Sequence, residues 1–346
     1  MKKYKFIGSR VVKTGVAVLV TSFICQWMGW PAVFAVITAI VTIEPTVSDS
    51  IKKGIIRLPA SAIGSAYAVF FISVFGNSPI TYTAAAVFTI ITCYKLKLHS
   101  GLLVATLTSV AMIEVIHGNF LIAFFIRLGT TSIGLLVSTA VNMFILPPNY
   151  SNSILMNIHS LLKATGEELL DVSTKMVHEA STYTNEATLQ KSFSQVKRNL
   201  DKTDVLIQFQ NEEGKYHRLN EKEKKLFEEE KEKISALRLI HYHIGNLINT
   251  PLVDLSWTKE ESANILATVE ALAESMIYPD RYNKIKHQEE IHKLMEHFWI
   301  SKRNATNEKE NENPTFFTAE IIILYELLSI YKLVEKLLGE SNTFKK

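Results

Sequence analysis

Six apolar segments fill the first 149 of the 346 residues, and they constrain the fold more than any other feature of the chain. A helix needs about 20 residues to cross a bilayer, with roughly 17 as the lower limit. Each segment reaches or approaches this length and therefore predicts a membrane-spanning helix. The segments are 11–27, 31–47, 58–75, 79–94, 100–116 and 120–145.

The connections between these segments alternate between basic and uncharged. Lysines and an arginine precede the first segment, Lys52, Lys53 and Arg57 precede the third, and Lys95 and Lys97 precede the fifth. The other three short connections carry no Lys or Arg. Because cytoplasmic loops are enriched in these residues, the alternation predicts six spans with both termini in the cytoplasm.

The chain beyond residue 149 has a different composition. It holds 26 Lys/Arg and 31 Asp/Glu, whereas the first 149 residues hold 11 and 3. Polar stretches with helical periodicity occupy 151–180, 187–211, 221–249, 259–277, 281–302 and 316–338. The spacing of Ile234, Leu237, His241, Ile244 and Ile248 by three and four is typical of a packed helix seam.

The sequence therefore predicts an all-α protein with two domains. Residues 1–149 form a six-helix transmembrane bundle, and residues 150–346 form a cytoplasmic antiparallel helical bundle. The charged stretch 301–314 is expected to be a flexible linker. The acidic run 228–232 is expected to be a solvated helix face.

Several function classes are disfavoured by what the sequence lacks. Its second half has no basic stripe, which argues against nucleic acid as a partner. Phosphate-binding glycine motifs, a nucleophile elbow and the HExxH pattern are all missing, so we expect neither an enzyme nor a bound cofactor or metal. The histidines of the second half do not have metal-ligand spacing. Cys25 and Cys93 are expected to be unpaired apolar-segment residues.

Two ionisable residues of the apolar segments require an explanation. Arg127 lies seven residues after Phe120, about 10 Å along a helix. A buried arginine is costly in a membrane, so it either binds an anion or pairs with Glu114 across the last hairpin. Glu44, which precedes Pro45, is either a proton-carrying acid or an interfacial partner of the nearby basic residues.

Small residues repeat at helical spacing in two segments, which predicts close helix packing rather than a pathway lining. They are Ala60, Gly64 and Ala68 in the third segment, and Gly129, Gly134 and Ser138 in the sixth.

The stretch 30–64, WPAVFAVITAIVTIEPTVSDSIKKGIIRLPASAIG, resembles the signature of the aromatic acid exporter and fusaric acid resistance-like family. In that family a helix begins with Trp, ends near Glu-Pro, and is followed by a Thr-Val turn and a basic stretch. Ala60 and Ser61 stand where the family has Gly and Thr. The charged second half looks like the domain of a Gram-positive branch. The matching residues are Trp30, Glu44, Pro45, Thr46, Val47, Lys53, Arg57 and Gly64.

The resemblance implies a plasma-membrane exporter of small organic anions, such as aromatic carboxylates, that works as a homodimer or higher oligomer. Arg127, Arg57 and Lys53 are then the candidate anion-binding residues, and Glu44 and Glu114 the candidate acids of a proton-linked mechanism. Two alternatives remain open. One is a passive anion channel, and the other is a membrane-anchored scaffold or sensor that acts through the helical second half.

Overall fold

The computed structural model describes residues 8–115, 119–177, 184–250, 255, 257–308 and 317–339. All regular structure in these residues is helical, which confirms the all-α prediction. Short 3₁₀ turns at His99–Gly101 and Pro279–Arg281 accompany the α-helices. The helices are α1 Ser9–Trp27, α2 Ala32–Thr42, α3 Val47–Phe75, α4 Pro79–Lys95, α5 Leu102–Val115, α6 Phe120–Phe144, α7 Ser151–Val177, α8 Thr184–Glu213, α9 Glu221–Asn249, α10 Lys259–Ile277, α11 Lys284–Glu308 and α12 Ala319–Gly339.

The chain divides into two compact units. The first contains residues 1–149 and also Phe209–Arg218, a segment that the sequence analysis placed in the second half. The second contains the rest of the chain from Tyr150 onward.

Helix direction alternates within the first unit. Phe34 and Ala35 of α2 approach Arg127 and Gly134 of α6 in the same order along both helices, so these two helices are parallel. The contacts of α3 with α6, including that of Ser61, follow the reverse residue order, so α3 and α6 are antiparallel. With the short connections between neighbours, α1, α3 and α5 run one way and α2, α4 and α6 the other. All the basic connections therefore lie at one end of the unit, which we call the basic end.

Two of these helices, α3 and α6, are long and apolar enough to cross a membrane. The apolar helices Ala32–Thr42 and His99–Glu114 are shorter. The six-span bundle is therefore supported only in part by helix length.

The predicted boundary between the second and third segments is wrong. Helix α2 ends at Thr42 rather than near residue 47, because the residue before a proline avoids the helical region. Thr46 then caps α3, and its hydroxyl accepts the N–H of Asp49. Since α3 begins at Val47, the basic residues predicted for a loop lie in its first turns.

Small residues bring helix backbones together, as the sequence predicted. A Cβ atom on Gly64 would lie 2.3 Å from the carbonyl oxygen of Ala105 in α5. One on Gly134 would lie 2.4 Å from the carbonyl oxygen of Ala35 in α2. Only glycine permits either approach.

The second unit is a helical bundle around one apolar core, and the predicted α9 seam is buried in it. Arg238 of α9 pairs with Asp201 of α8, while Phe193 stacks on His241, so α8 and α9 are antiparallel. Asn220 and Thr258 start α9 and α10 through capping boxes, and both helices have their predicted bounds.

Two predictions for this unit need correction. Helix α11 continues to Glu308, so residues 301–308 of the expected linker are helical, and 309–316 lie outside the described residues. Within the expected solvated run, Glu230 is only 9% exposed. It faces inward because it lies three residues after buried Phe227 and four before buried Ile234, on the same helix face.

Candidate functional site

Arg127 lies buried in α6 of the first unit, with only 3% of its surface exposed. Its Nη2 donates to the hydroxyl of Thr108 in α5. The Phe34 ring of α2 lies 4.1 Å from the guanidinium carbon, which is a cation–π contact. The Nε and Nη1 groups have no hydrogen-bond partner among the residues that the structure describes. The guanidinium is therefore held by two contacts, with Thr108 and Phe34, and has unused donors.

Arg127 forms no ion pair within the part of the chain that the structure describes. Glu114, the alternative partner from the sequence, is exposed and accepts a hydrogen bond from the Tyr82 hydroxyl instead. A buried cation without a counterion is unfavourable unless another anion compensates its charge. The geometry thus suits a carboxylate, which a guanidinium can bind through two parallel N–H groups.

Hydroxyl groups also lie beside the backbone of Arg127. Thr130 and Thr131 donate to the carbonyl oxygen of Arg127, and Ser61 of α3 lies 3.2 Å from the Thr131 hydroxyl. All three side chains are buried. Helices α2, α3, α5 and α6 therefore converge on a small polar site within an otherwise apolar bundle.

The other candidate cations already have counterions. Arg57 Nη2 donates to Glu44 Oε1 at 2.7 Å, and Lys53 Nζ donates to Glu44 Oε2 at 2.9 Å. Lys53 also lies 3.4 Å from Asp49. Glu44 is thus paired with nearby basic residues, as the second of its two interpretations expects, and two cations share its carboxylate.

Two functional candidates at the basic end did not emerge from the sequence analysis. Asn142 of α6 is fully buried, and its Nδ2 donates to the carbonyl oxygens of Glu44 and Thr46. Its Oδ1 accepts from Lys13 Nζ of α1 at 2.7 Å. A lysine and an asparagine inside apolar segments are the available signal, but a basic residue near the start of the first segment is also explained by the topology.

The segment Phe209–Arg218 supplies further polar groups to this end. Glu213 accepts the backbone N–H of Val47 at the start of α3. Glu212 accepts from Lys52 at 3.1 Å. His217 lies beside Glu213 and the Met143 carbonyl. Long-range contacts of this kind leave no pattern in the sequence. The described residues include no cluster of three His, Cys, Asp or Glu that could hold a metal ion.

Comparison with known proteins gives two results. Residues 5–145 match the model of aromatic acid exporter family member 1. A UPF0421 protein of Oceanobacillus iheyensis is 45% identical over 348 residues, which cover 100% of this chain and 99% of the relative. A UPF0421 protein of Bacillus cereus is 42% identical, covering 97% and 94% of the two chains. One from Staphylococcus haemolyticus is 36% identical, covering 94% and 96%.

Proposed function

Because the chain belongs to the aromatic acid exporter family and matches UPF0421 proteins over its whole length, we propose that it exports small organic anions across the plasma membrane. Aromatic carboxylates are the proposed substrates. The observation that carries the proposal is the buried Arg127 guanidinium with two unused donor groups and no counterion among the described residues.

The proposed topology has six spans with both termini in the cytoplasm. The alternating helix directions support it, because they gather the basic connections at one end of the unit, which is then the cytoplasmic end. The shorter helices, such as α2, are accommodated by local thinning of the bilayer or by assembly of copies. A homodimer is the simplest assembly in which one six-helix unit per chain forms a complete transporter.

Glu44 is the better proton-linked candidate in this scheme. Its carboxylate holds Arg57 and Lys53, so protonation releases two cations near the basic end, and these cations then attract an anion. Glu114 contacts a tyrosine hydroxyl and no cation among the described residues, so its protonation releases no anion site. Proton binding and anion binding are thereby coupled through the same ion pairs.

The test is uptake of labelled aromatic and aliphatic carboxylates into proteoliposomes, with and without a pH gradient. Saturable uptake driven by the pH gradient supports the exporter. Currents that reverse with the anion gradient alone indicate the passive channel instead. Glu44→Gln is expected to uncouple flux from the pH gradient, whereas the matched Glu114→Gln is expected to remain coupled.

A second candidate function is a membrane-anchored sensor that works through the second unit. The observation that favours it is a cavity of about 150 Å³ in that unit, lined by polar groups that include Arg281, Lys286, His287 and Tyr331. This candidate predicts that folded protein shows no flux for any carboxylate, and that a small polar ligand stabilises the second unit.

A further inference from the structure

The segment Phe209–Arg218 comprises the end of α8 and the turn after it, and it packs within the first unit. Its central side chain is Glu213, a residue only 1% exposed. The Oε1 atom of Glu213 accepts the backbone N–H of Val47, the first residue of α3. A carboxylate of the protein therefore occupies the amino-terminal end of a long helix at the basic end.

The surroundings of Glu213 are those of an anion site. The start of α3 presents backbone N–H groups that have no partner within the helix, and it is the positive end of the helix dipole. Glu213 accepts the N–H of Val47, and Thr46 accepts that of Asp49. Lys13 is 5% exposed, and the nearby charge of Glu213 acts on it. Its hydrogen bond to Asn142 uses only one of its three N–H groups. Glu212 adds a second carboxylate, which contacts Lys52 and, at 3.3 Å, the Thr46 hydroxyl.

His217 connects the segment to α6 by a hydrogen bond. Its Nε2 donates to the Met143 carbonyl oxygen at 3.0 Å, and its Nδ1 lies 3.2 Å from Glu213 Oε2. The segment is thus held by α3 through Glu213 and by α6 through His217.

We propose that Phe209–Arg218 is a tethered plug whose Glu213 carboxylate occupies an anion site at the basic end, and that small carboxylate anions compete for this site. Removal of Glu213 leaves the Val47 N–H without its partner and removes the negative charge that acts on Lys13. Release of the segment is therefore favoured when a free carboxylate takes the place of Glu213. Release of the segment then opens the transport pathway, and this consequence rests on the proposed exporter function.

Hydrogen exchange of the full chain in nanodiscs, read by mass spectrometry over residues 209–218, tests the docking without any transport assay. Glu213→Gln keeps the shape of the side chain and removes its charge. We expect it to raise exchange of this segment by about 10- to 100-fold, as for loss of a charge-assisted hydrogen bond. The neighbouring Glu212→Gln is the matched control, and its effect is expected to be several-fold smaller because its side chain is partly exposed.

Titration of the wild-type protein with sodium benzoate, against sodium chloride at equal ionic strength, provides a second measurement that needs no substitution. Benzoate is expected to raise exchange in residues 209–218 and to leave α9 unchanged. Exchange that responds neither to Glu213→Gln nor to benzoate overturns the plug. If Glu213→Gln releases the segment but its flux equals that of wild type, the segment does not gate transport. If neither wild type nor Glu213→Gln shows flux, the exporter function is contradicted. The exchange data still show whether residues 209–218 are docked through Glu213.

Discussion

Glu230 gives the second unit a stability that depends on pH. Burial raises the pKa of its carboxyl group from 4.5 to about 7. The folded protein therefore holds the proton more tightly than the unfolded chain, and stability is lost as the pH rises from about 4.5 to about 7. One pKa unit is worth about 1.4 kcal/mol, so the shift amounts to about 3 kcal/mol. Glutamine at this position stays neutral and removes the dependence.

Hydrogen exchange of the α9 amides measures this effect within the second unit alone. After correction for intrinsic rates, wild-type protection is expected to fall by about 100-fold between pH 4.5 and pH 8, since each 1.4 kcal/mol is a factor of ten. Glu230→Gln is expected to lose this fall and to keep only the opposite dependence below pH 6.5 that His287 causes. Glu228→Gln, on an exposed face of the same helix, is the control and should follow wild type. An equal pH slope in wild type and Glu230→Gln would refute the reasoning.

Three further predictions concern packing and charge. Gly134→Ala is expected to lower stability by about 1–3 kcal/mol through overpacking, whereas Gly15→Ala, which meets open space, should be neutral or stabilising in thermal unfolding. Burial lowers the pKa of His287, so its contribution to stability is lost as the pH falls below 6.5, and His287→Asn should weaken this acid sensitivity of the second unit. Arg57→Met is expected to cost about 3 kcal/mol because its pair with Glu44 is largely buried, whereas Lys53→Met, at a more exposed position, should cost less than about 1 kcal/mol in denaturant titrations.

The helices of this protein are readable from the sequence where local signals are strong. Asn220 and Thr258 stand three residues before a glutamate, and each forms a capping box with it. These capping boxes set the starts of α9 and α10, at the positions that periodicity also predicts. The apolar pattern places the start of α3 too late, because that pattern marks only the apolar part of the helix. The helix begins with the polar residues that follow the Thr46 cap, well before its apolar part.

The candidate site was only partly readable. Arg127 was evident because a charge inside an apolar segment has few explanations. The ion pairs of Glu44 with Arg57 and Lys53 depend on local proximity, which the sequence suggested. The contact between Glu213 and Val47 joins residues 166 positions apart and depends on how α8 ends. No periodicity encodes such a contact, so Glu213 cannot be distinguished from the other acidic residues of the second half by sequence alone.

The most direct test of the central claim compares initial uptake rates of wild-type protein, Arg127→Lys and Arg127→Ala in proteoliposomes. The best substrate of the carboxylate panel is used, with Lys97→Ala as a control at an exposed cation. The account predicts an apparent affinity about 10- to 100-fold weaker in Arg127→Ala, because hydrogen bonds to charged groups are worth that much. It also predicts partial retention in Arg127→Lys and no change in Lys97→Ala. Wild-type uptake in a folded Arg127→Ala protein would contradict it.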